Sequence, residues 1–334
     1  MFRMPAEWMP HDRCWMIWPR RIEVWGDRFD ATKRAFARVA QTIAGFEPVT
    51  MIVHPEDRHE AEAACGAGIS LIELPVDDSW ARDSGPCFVH DGQVLGTARF
   101  DFNAWGGKYH PHDLDAAMAG ALADALGLDC RRMPFVGEGG AISVDGQGTL
   151  ITTESCLLNA NRNPGLSKAA IEAELGSSLG VEKVIWLPGN PAETETDGHV
   201  DGIAVFAGPG HVLVEAPSHP DQPGADTMRA NIEALRGQVD ATGRELRITE
   251  ICEAINVEPD GERFCRSYIN FYLANGAVIA PEYGIPEDHE ARRVLASTFP
   301  DREIVLLPIG DIAIGGGGIH CITQQQPAVQ PAFA

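Results

Sequence analysis

Residues 196–216, TDGHVDGIAVFAGPGHVLVEA, hold a polar glycine-flanked turn, an apolar strand, a second glycine turn and another apolar strand. Short β-prone runs on either side of a glycine-containing turn read as a hairpin. The same unit returns at 78–100 (DSWARDSGPCFVHDGQVLGTARF), 135–154 (FVGEGGAISVDGQGTLITTE), 267–283 (SYINFYLANGAVIAPEY) and 312–327 (IAIGGGGIHCITQQQP). Hairpins are expected at CFV-HDGQ-VLGTA, AISV-DGQG-TLITT, IAVF-AGPG-HVLVE and INFY-LANG-AVIAP. Helical patterns lie between them, at 29–46, 114–128, 165–180, 225–239 and 287–299. Five units at intervals of roughly 50 to 70 residues predict an α/β repeat architecture with fivefold pseudosymmetry. Closing such a ring covers sheet edges and gathers the turns around a central pore. A doubly wound parallel sheet is the competing fold, but the hairpins favour antiparallel pairing inside each unit. No Ser/Gly linker or charge block divides residues 1–334, which read as a single domain.

The chain has 334 residues, with 26 Lys and Arg against 48 Asp and Glu, a net charge of −22. Nucleic acid is a poor partner for such a surface, because phosphate binding needs a basic face. A cationic small molecule suits it, since a negative field steers it inward. No apolar run is long enough to span a bilayer, so no membrane association is expected. The N-terminal MFRMPAEWMPHDRCWMIWPRR lacks the continuous apolar core of a signal peptide. The eight cysteines form no CxxC pair and match neither a zinc site nor a disulfide framework. They read as reduced thiols of a cytoplasmic protein, most of them packed as small apolar residues.

One cysteine is placed differently. Cys321 follows four consecutive glycines, Gly315 to Gly318, in GGGGIHC. Such a run is entropically costly and makes sense where backbone bends sharply or approaches a ligand. A cysteine nucleophile needs a base or a cationic neighbour. His320 is adjacent, but successive residues of an extended segment face opposite ways. His199, in the TDGHVDG turn of another repeat, is the better candidate, and Asp201 would share its face. Asp83, Glu138 and Asp201 all lie in glycine-flanked turns. Carboxylates match a planar guanidinium in pairs. Gathered round one thiol, they would raise one another's pKa values unless a cation neutralised them. An acid set with a His, a Cys and no metal pattern points to a cationic substrate attacked by sulfur. The bland alternative pairs Asp83 with Arg82 and leaves Glu138 capping a turn.

The motifs MPAEWMPHDRCWMIWP, DDSWARDSGP, GEGGAI, TDGHVD and GGGGIHCITQQQP run nearly end to end. With them the chain resembles the agmatine deiminase family of the guanidine-modifying (pentein) superfamily, in its Porphyromonas-type peptidylarginine deiminase branch. The resemblance implies a five-bladed α/β propeller. It assigns Cys321 as nucleophile, His199 as general acid/base and Glu138 as the carboxylate orienting the histidine. It makes Asp83 and Asp201 the pair that grips the guanidinium, and Trp80 an aromatic wall of the pocket. Asp197 stands where many members have Asn. The implied reaction hydrolyses agmatine to N-carbamoylputrescine and ammonia, in putrescine biosynthesis, through a covalent amidino-cysteine intermediate. No metal or other cofactor is needed, and a homo-oligomer is compatible.

Three other readings stay open at this point. One is the same chemistry on arginine or peptidyl arginine, or an amidinotransferase passing the amidino group to an amine. Another is a metal-dependent hydrolase built on His199, Asp201 and Asp83, although such sites generally use more histidines. The third is a non-enzymatic propeller that binds partners through its rim.

Overall fold

The computed structural model describes residues 2–257 and 263–329. Its strands are β1 (His11–Ile17), β2 (Val49–Val53), β3 (Ser70–Glu73), β4 (Cys87–His90), β5 (Leu95–Asp101), β6 (Cys130–Val136), β7 (Ile142–Val144) and β8 (Thr149–Thr153). They continue with β9 (Lys183–Leu187), β10 (Ala204–Gly208), β11 (His211–Ala216), β12 (Arg247–Cys252), β13 (Tyr272–Ala274), β14 (Ala277–Glu282), β15 (Glu303–Pro308) and β16 (Thr323–Pro327). They form five separate sheets, four of three strands and one of four.

Each three-stranded sheet follows one rule. Its first two strands form an antiparallel hairpin, as β10 and β11 do, and its third strand lies parallel to the second. A parallel neighbour needs a crossover connection. The predicted helices supply it, at Asp113–Leu126, Lys168–Leu179, Ala225–Leu235 and Glu287–Thr298. Lys168–Leu179 shows how the sequence sets the ends: Ser167 Oγ accepts from Ala170 N at 3.3 Å, and Gly180 closes the helix in the left-handed region. Its inner face buries Ile171, Leu175 and Leu179 in one core with residues of β4–β6, such as Met133 and Phe135, and of β7–β8, such as Ile142 and Leu150. Both pairing modes proposed for the units therefore occur, one on each side of every middle strand.

The fifth sheet corrects the expectation for 312–327. Gly310–Ala313 is a single helical turn, and the glycine run is not the bend of a hairpin. β16 instead pairs antiparallel with β1, and β1 continues parallel to β2 through helix Phe29–Ile43. The two ends of the chain thus complete one blade, a pairing across about 310 residues that local periodicity cannot reveal.

Hydrogen bonds between neighbouring blades close the ring. Gly140 N donates to Asp83 Oδ1 (3.0 Å), Phe206 N to Ser143 Oγ (3.0 Å) and Ser267 Oγ to Gly202 O (3.3 Å). Cys321 N donates to Asn270 Oδ1 (3.3 Å), and Arg82 N to Cys321 O (3.1 Å). Every one of these residues lies within or just before the first strand of its blade. The turns at 81–84, 139–141, 200–202, 267–271 and 319–322 therefore meet at one centre, which is what a functional site needs from this fold.

Candidate active site

Gly140 marks the point of convergence. A Cβ built there would lie 2.6 Å from His199 Nδ1, 2.8 Å from Asp83 Oδ1 and 3.0 Å from Asp201 Oδ2. Real Cβ atoms do not tolerate such approaches, so only glycine admits three polar side chains from two other blades. Gly317 plays the same part in the fifth blade, where a Cβ would fall 2.4 Å from the Trp80 ring and 3.0 Å from Cys321 Cβ. The cost of the glycine run is offset by the closeness of thiol and indole.

Cys321 is 7% exposed, with Sγ 3.6 Å from Asp201 Oδ2 and 3.3 Å from Asn270 Oδ1. It faces a cleft of about 250 Å³ whose walls include Thr196, His199, Asp201, Asn270 and Gly317. A narrower recess, lined by Trp80, Asp83, Trp105, Tyr109, Glu195 and Gly317, also opens on the thiol. Trp80 stacks at a tilt on Trp25 and meets Trp105 edge-on.

The carboxylates are held by different partners. Asp83 Oδ1 accepts from Gly140 N, and Oδ2 accepts from Trp105 Nε1 at 2.9 Å. Asp201 Oδ2 lies 2.8 Å from His320 Nδ1. Glu138, fully buried, lies 3.3 Å from His199 Nε2 through Oε2 and accepts from Arg162 Nε at 2.8 Å through Oε1. His199 Nδ1 is buried with no hydrogen-bond partner among the described residues, and Asp83 Oδ1 is 3.8 Å away. An orphaned ring nitrogen in a cleft is the position for a group that substrate brings.

Electrostatics separates these groups. Burial, then Asp201 and Asp83, push the Cys321 thiol well above its ordinary value. Burial opposes protonation of His199, yet Asp83 and its other neighbours hold it well above the ordinary histidine value, so the ring is an imidazolium. Burial raises Asp83. It also pushes on Asp201 and Glu138, but His320 for the one, and His199 with Arg162 for the other, bring both below the usual carboxylate range. The expectation that clustered acids raise one another thus holds for Asp83 alone, because each of the others has its own fixed cation.

All six residues singled out from the sequence, Trp80, Asp83, Glu138, His199, Asp201 and Cys321, border this one region. Arg82 is not the partner of Asp83; it turns toward Glu7 and the His320 carbonyl. His199 and Asp201 converge as expected, but through a 3₁₀ turn over Val200–Gly202 and not an extended stretch. Asp197 adopts φ +62, a left-handed conformation that Asp and Asn tolerate. It binds Lys108 Nζ (2.8 Å), Asn161 Nδ2 (3.0 Å) and Arg162 Nη1. Asn270, Arg162, Trp105 and His320 were missed as site residues. Asn270 precedes the first strand of the fourth blade just as Cys321 precedes that of the fifth, so the repeat itself could have pointed to it.

Among the described residues, Glu138, Cys156 and His199 bring ligand-type atoms within 4.8 Å of one another. Arg162 already occupies Glu138 with positive charge at 2.8 Å, which does not suit a cation on the same carboxylate. Among the described residues no helix is long and apolar enough to cross a membrane.

Comparison with known proteins agrees with this geometry. Residues 3–327 match the family described as Porphyromonas-type peptidyl-arginine deiminase. The chain is 42% identical to the agmatine deiminase of Pseudomonas aeruginosa, covering 99% of this chain and 97% of that one. It is 43% identical to the agmatine deiminase of Stutzerimonas stutzeri, covering 98% and 96%. The solved agmatine deiminase of Enterococcus faecalis superimposes with a TM-score of 0.95 at 36% identity, over 98% of this chain and 96% of that one. The fold is the five-bladed pentein propeller that the family resemblance implied, in line with the fivefold repeat, and the chain belongs to the Porphyromonas-type peptidyl-arginine deiminase family.

Proposed function

We propose that this chain is an agmatine deiminase, a hydrolase of amidine C–N bonds, with Cys321 as its nucleophile. The observation that carries the reading is the meeting of the unpartnered His199 nitrogen with Asp83 and Asp201 around Gly140, with the Cys321 thiol 3.6 Å from Asp201 Oδ2. Asp83 and Asp201 would receive the guanidinium, placing its carbon beside Sγ. In the free enzyme, burial and those same carboxylates keep the thiol protonated. A bound cation offsets their charge, so the thiol releases its proton to solvent and thiolate forms when substrate is present to use it.

The thiolate attacks the guanidinium carbon and a C–S bond forms. His199 gives its Nδ1 proton to the departing nitrogen, the C–N bond breaks and ammonia leaves. An amidino thioether remains on Cys321. His199, now neutral, takes a proton from water as the oxygen bonds to the same carbon. The C–S bond then breaks with its electron pair returning to sulfur, the hydroxyl proton passes to that thiolate, and N-carbamoylputrescine and the Cys321 thiol are released. Glu138, itself anchored by Arg162, holds the ring and favours its charged form.

The tail preference follows from charge in the larger cleft. Glu193, Glu195, Glu215 and Glu253 line it against Arg263 and Arg266. An ammonium tail suits that balance better than an α-carboxylate. Of the two arginines, Arg263 already donates to Tyr109 Oη at 2.8 Å. The test is ureido-product and ammonia formation from agmatine, arginine and arginyl peptides. Agmatine should be the best substrate, and Cys321→Ala should remove the activity.

A further inference from the structure

His320 stands next to the proposed nucleophile and takes no part in the steps above. It is nevertheless 2% exposed, with both ring nitrogens engaged. Nδ1 lies 2.8 Å from Asp201 Oδ2, and Nε2 lies 3.0 and 3.2 Å from the two oxygens of Glu7. Ionised carboxylates only accept hydrogen bonds. A ring wedged between two of them satisfies both contacts only by donating from both nitrogens, which is the imidazolium form.

Glu7 comes from outside the cleft. It is absent from the cleft walls, its side chain is 19% exposed, and its neighbours Ala6 and Trp8 line a separate groove. Its backbone carbonyl accepts from His11 Nε2 at 2.9 Å, which pins the N-terminal segment. Arg82 Nη1 approaches Glu7 Oε1 at 3.5 Å. Charges therefore alternate from the site outward: Asp201, His320, Glu7, Arg82. Burial opposes ionisation of both inner groups. Even so, His320 and Arg82 hold Glu7 down to about 2, and Glu7 with Asp201 raises His320 against the pull of burial and Arg82.

Asp201 Oδ2 is also the carboxylate oxygen recorded within 3.6 Å of Cys321 Sγ. Whatever binds that oxygen sets both the aim of the carboxylate and the negative field at the thiol. We propose that His320, kept as an imidazolium by Glu7, is a positioning residue that aims Asp201 and partly cancels its charge at Cys321. This rests on the reading of Cys321 as nucleophile and Asp201 as guanidinium-binding. It adds that a side chain of the N-terminal segment, outside the substrate cleft, tunes the reactivity of the thiol.

Two contributions can be separated by substitution. The Nδ2 of an Asn at position 320 can still donate to Asp201, so His320→Asn keeps the aim and removes the charge. Glu7→Gln keeps an acceptor for Nε2 and lets His320 fall back toward the ordinary value of about 6.5. Asp201, Arg82 and the residue at position 7 are the charged or titratable groups facing the ring, so the change in profile belongs to His320.

The experiment measures the rate of Cys321 alkylation by neutral iodoacetamide against pH, by peptide mapping, together with agmatine kinetics. His320→Asn should slow labelling at pH 8 by about tenfold or more, lower kcat similarly and leave KM for agmatine the same or lower. His320→Ala, which loses the aim as well, should raise KM, and His320→Asn should restore it. Glu7→Gln should resemble the parent below about pH 6 and approach His320→Asn above about pH 8, because the ring loses its proton between them. Labelling and turnover profiles unchanged in Glu7→Gln and His320→Asn would overturn the proposal. Should the His320 variants fail to fold, the Glu7→Gln profile decides alone. Asp201→Asn with unaltered agmatine kinetics would instead overturn the guanidinium-binding reading and leave the thiol profiles to judge the charge contribution.

Discussion

His199 Nε2 lies 3.3 Å from Glu138 Oε2, and this contact leaves the opposite nitrogen, Nδ1, free beside Asp83. Glu138 in turn is fixed by Arg162 at 2.8 Å, both side chains fully buried. Glu138→Gln keeps the shape and removes one of the groups that, after Asp83, favour the protonated form of His199. Turnover of agmatine should fall about 100-fold or more with little change in KM, the mark of an interaction used in the chemical steps. Arg162 keeps Asp197 as its second carboxylate partner, so weakening the Glu138 contact should cost about 1–3 kcal/mol of stability. Steady-state kinetics and thermal unfolding check both, and a variant with full turnover would remove Glu138 from the mechanism.

Asp83 predicts opposite effects on two reactions of one thiol. It is a named cause of the raised Cys321 pKa, so Asp83→Asn should increase the ordinary thiol's ionisation and speed labelling by neutral iodoacetamide by about tenfold. Deimination should fall about 100-fold, because the guanidinium loses one of its carboxylates. In the parent enzyme, neutral labelling should go on rising with pH beyond about 9, since the thiol is held well above its ordinary value. Parallel losses in both reactions would show that the substitution damaged the site as a whole.

The tail of the substrate should be read by Glu195, which borders both the larger cleft and the recess beside Cys321. Its Oε2 accepts from Tyr109 Oη at 2.6 Å, which fixes the carboxylate in place. We expect kcat/KM for agmatine to exceed that for arginine by about 100-fold, the scale set by placing the like charge of an α-carboxylate against a fixed carboxylate. Glu195→Gln should narrow the gap, mainly through KM for agmatine. Equal rates with both substrates in the parent chain would reassign the specificity.

Asp115 offers a test away from the site. Its Oδ1 accepts from Asp77 N (2.8 Å) and Asp78 N (3.2 Å), while burial and the Asp78 charge push its pKa up to about 7. An acid raised on folding favours the fold while protonated, and that contribution is lost as pH rises through about 7. Asp115→Asn retains the accepting oxygen without the charge. The thermal midpoint should therefore rise by about 2–5 °C at pH 8 and by a clearly smaller amount at pH 5, as differential scanning calorimetry would show. An equal shift at both pH values would contradict the charge argument.

The hairpins and crossover helices were legible because both carry local signals, glycine turns and apolar periodicity. The fivefold order followed from their recurrence. What the sequence hid was non-local. β1 pairs with β16 from the opposite end of the chain, and nothing near residues 11–17 announces that partner. Cys321, His199 and the acids stood out because their turns hold glycines that a close approach requires. Asn270, Arg162 and His320 did not, since an amide, a buried arginine and a second histidine acquire meaning only from what they touch. His320 was set aside as a base for Cys321 by assuming extended backbone. The segment is in fact a turn, and the histidine is excluded because Asp201 and Glu7 occupy both its nitrogens.

The central claim is a covalent bond between Cys321 and the amidino carbon of agmatine. Acid quenching during turnover, followed by peptide mass spectrometry, tests it directly. The peptide carrying Cys321 should gain the mass of agmatine less ammonia, and His199→Ala should either accumulate or prevent that species. The seven other cysteines should stay unmodified, and Cys321→Ala should show neither adduct nor product. N-carbamoylputrescine formed at the parent rate by a folded Cys321→Ala chain would contradict the account.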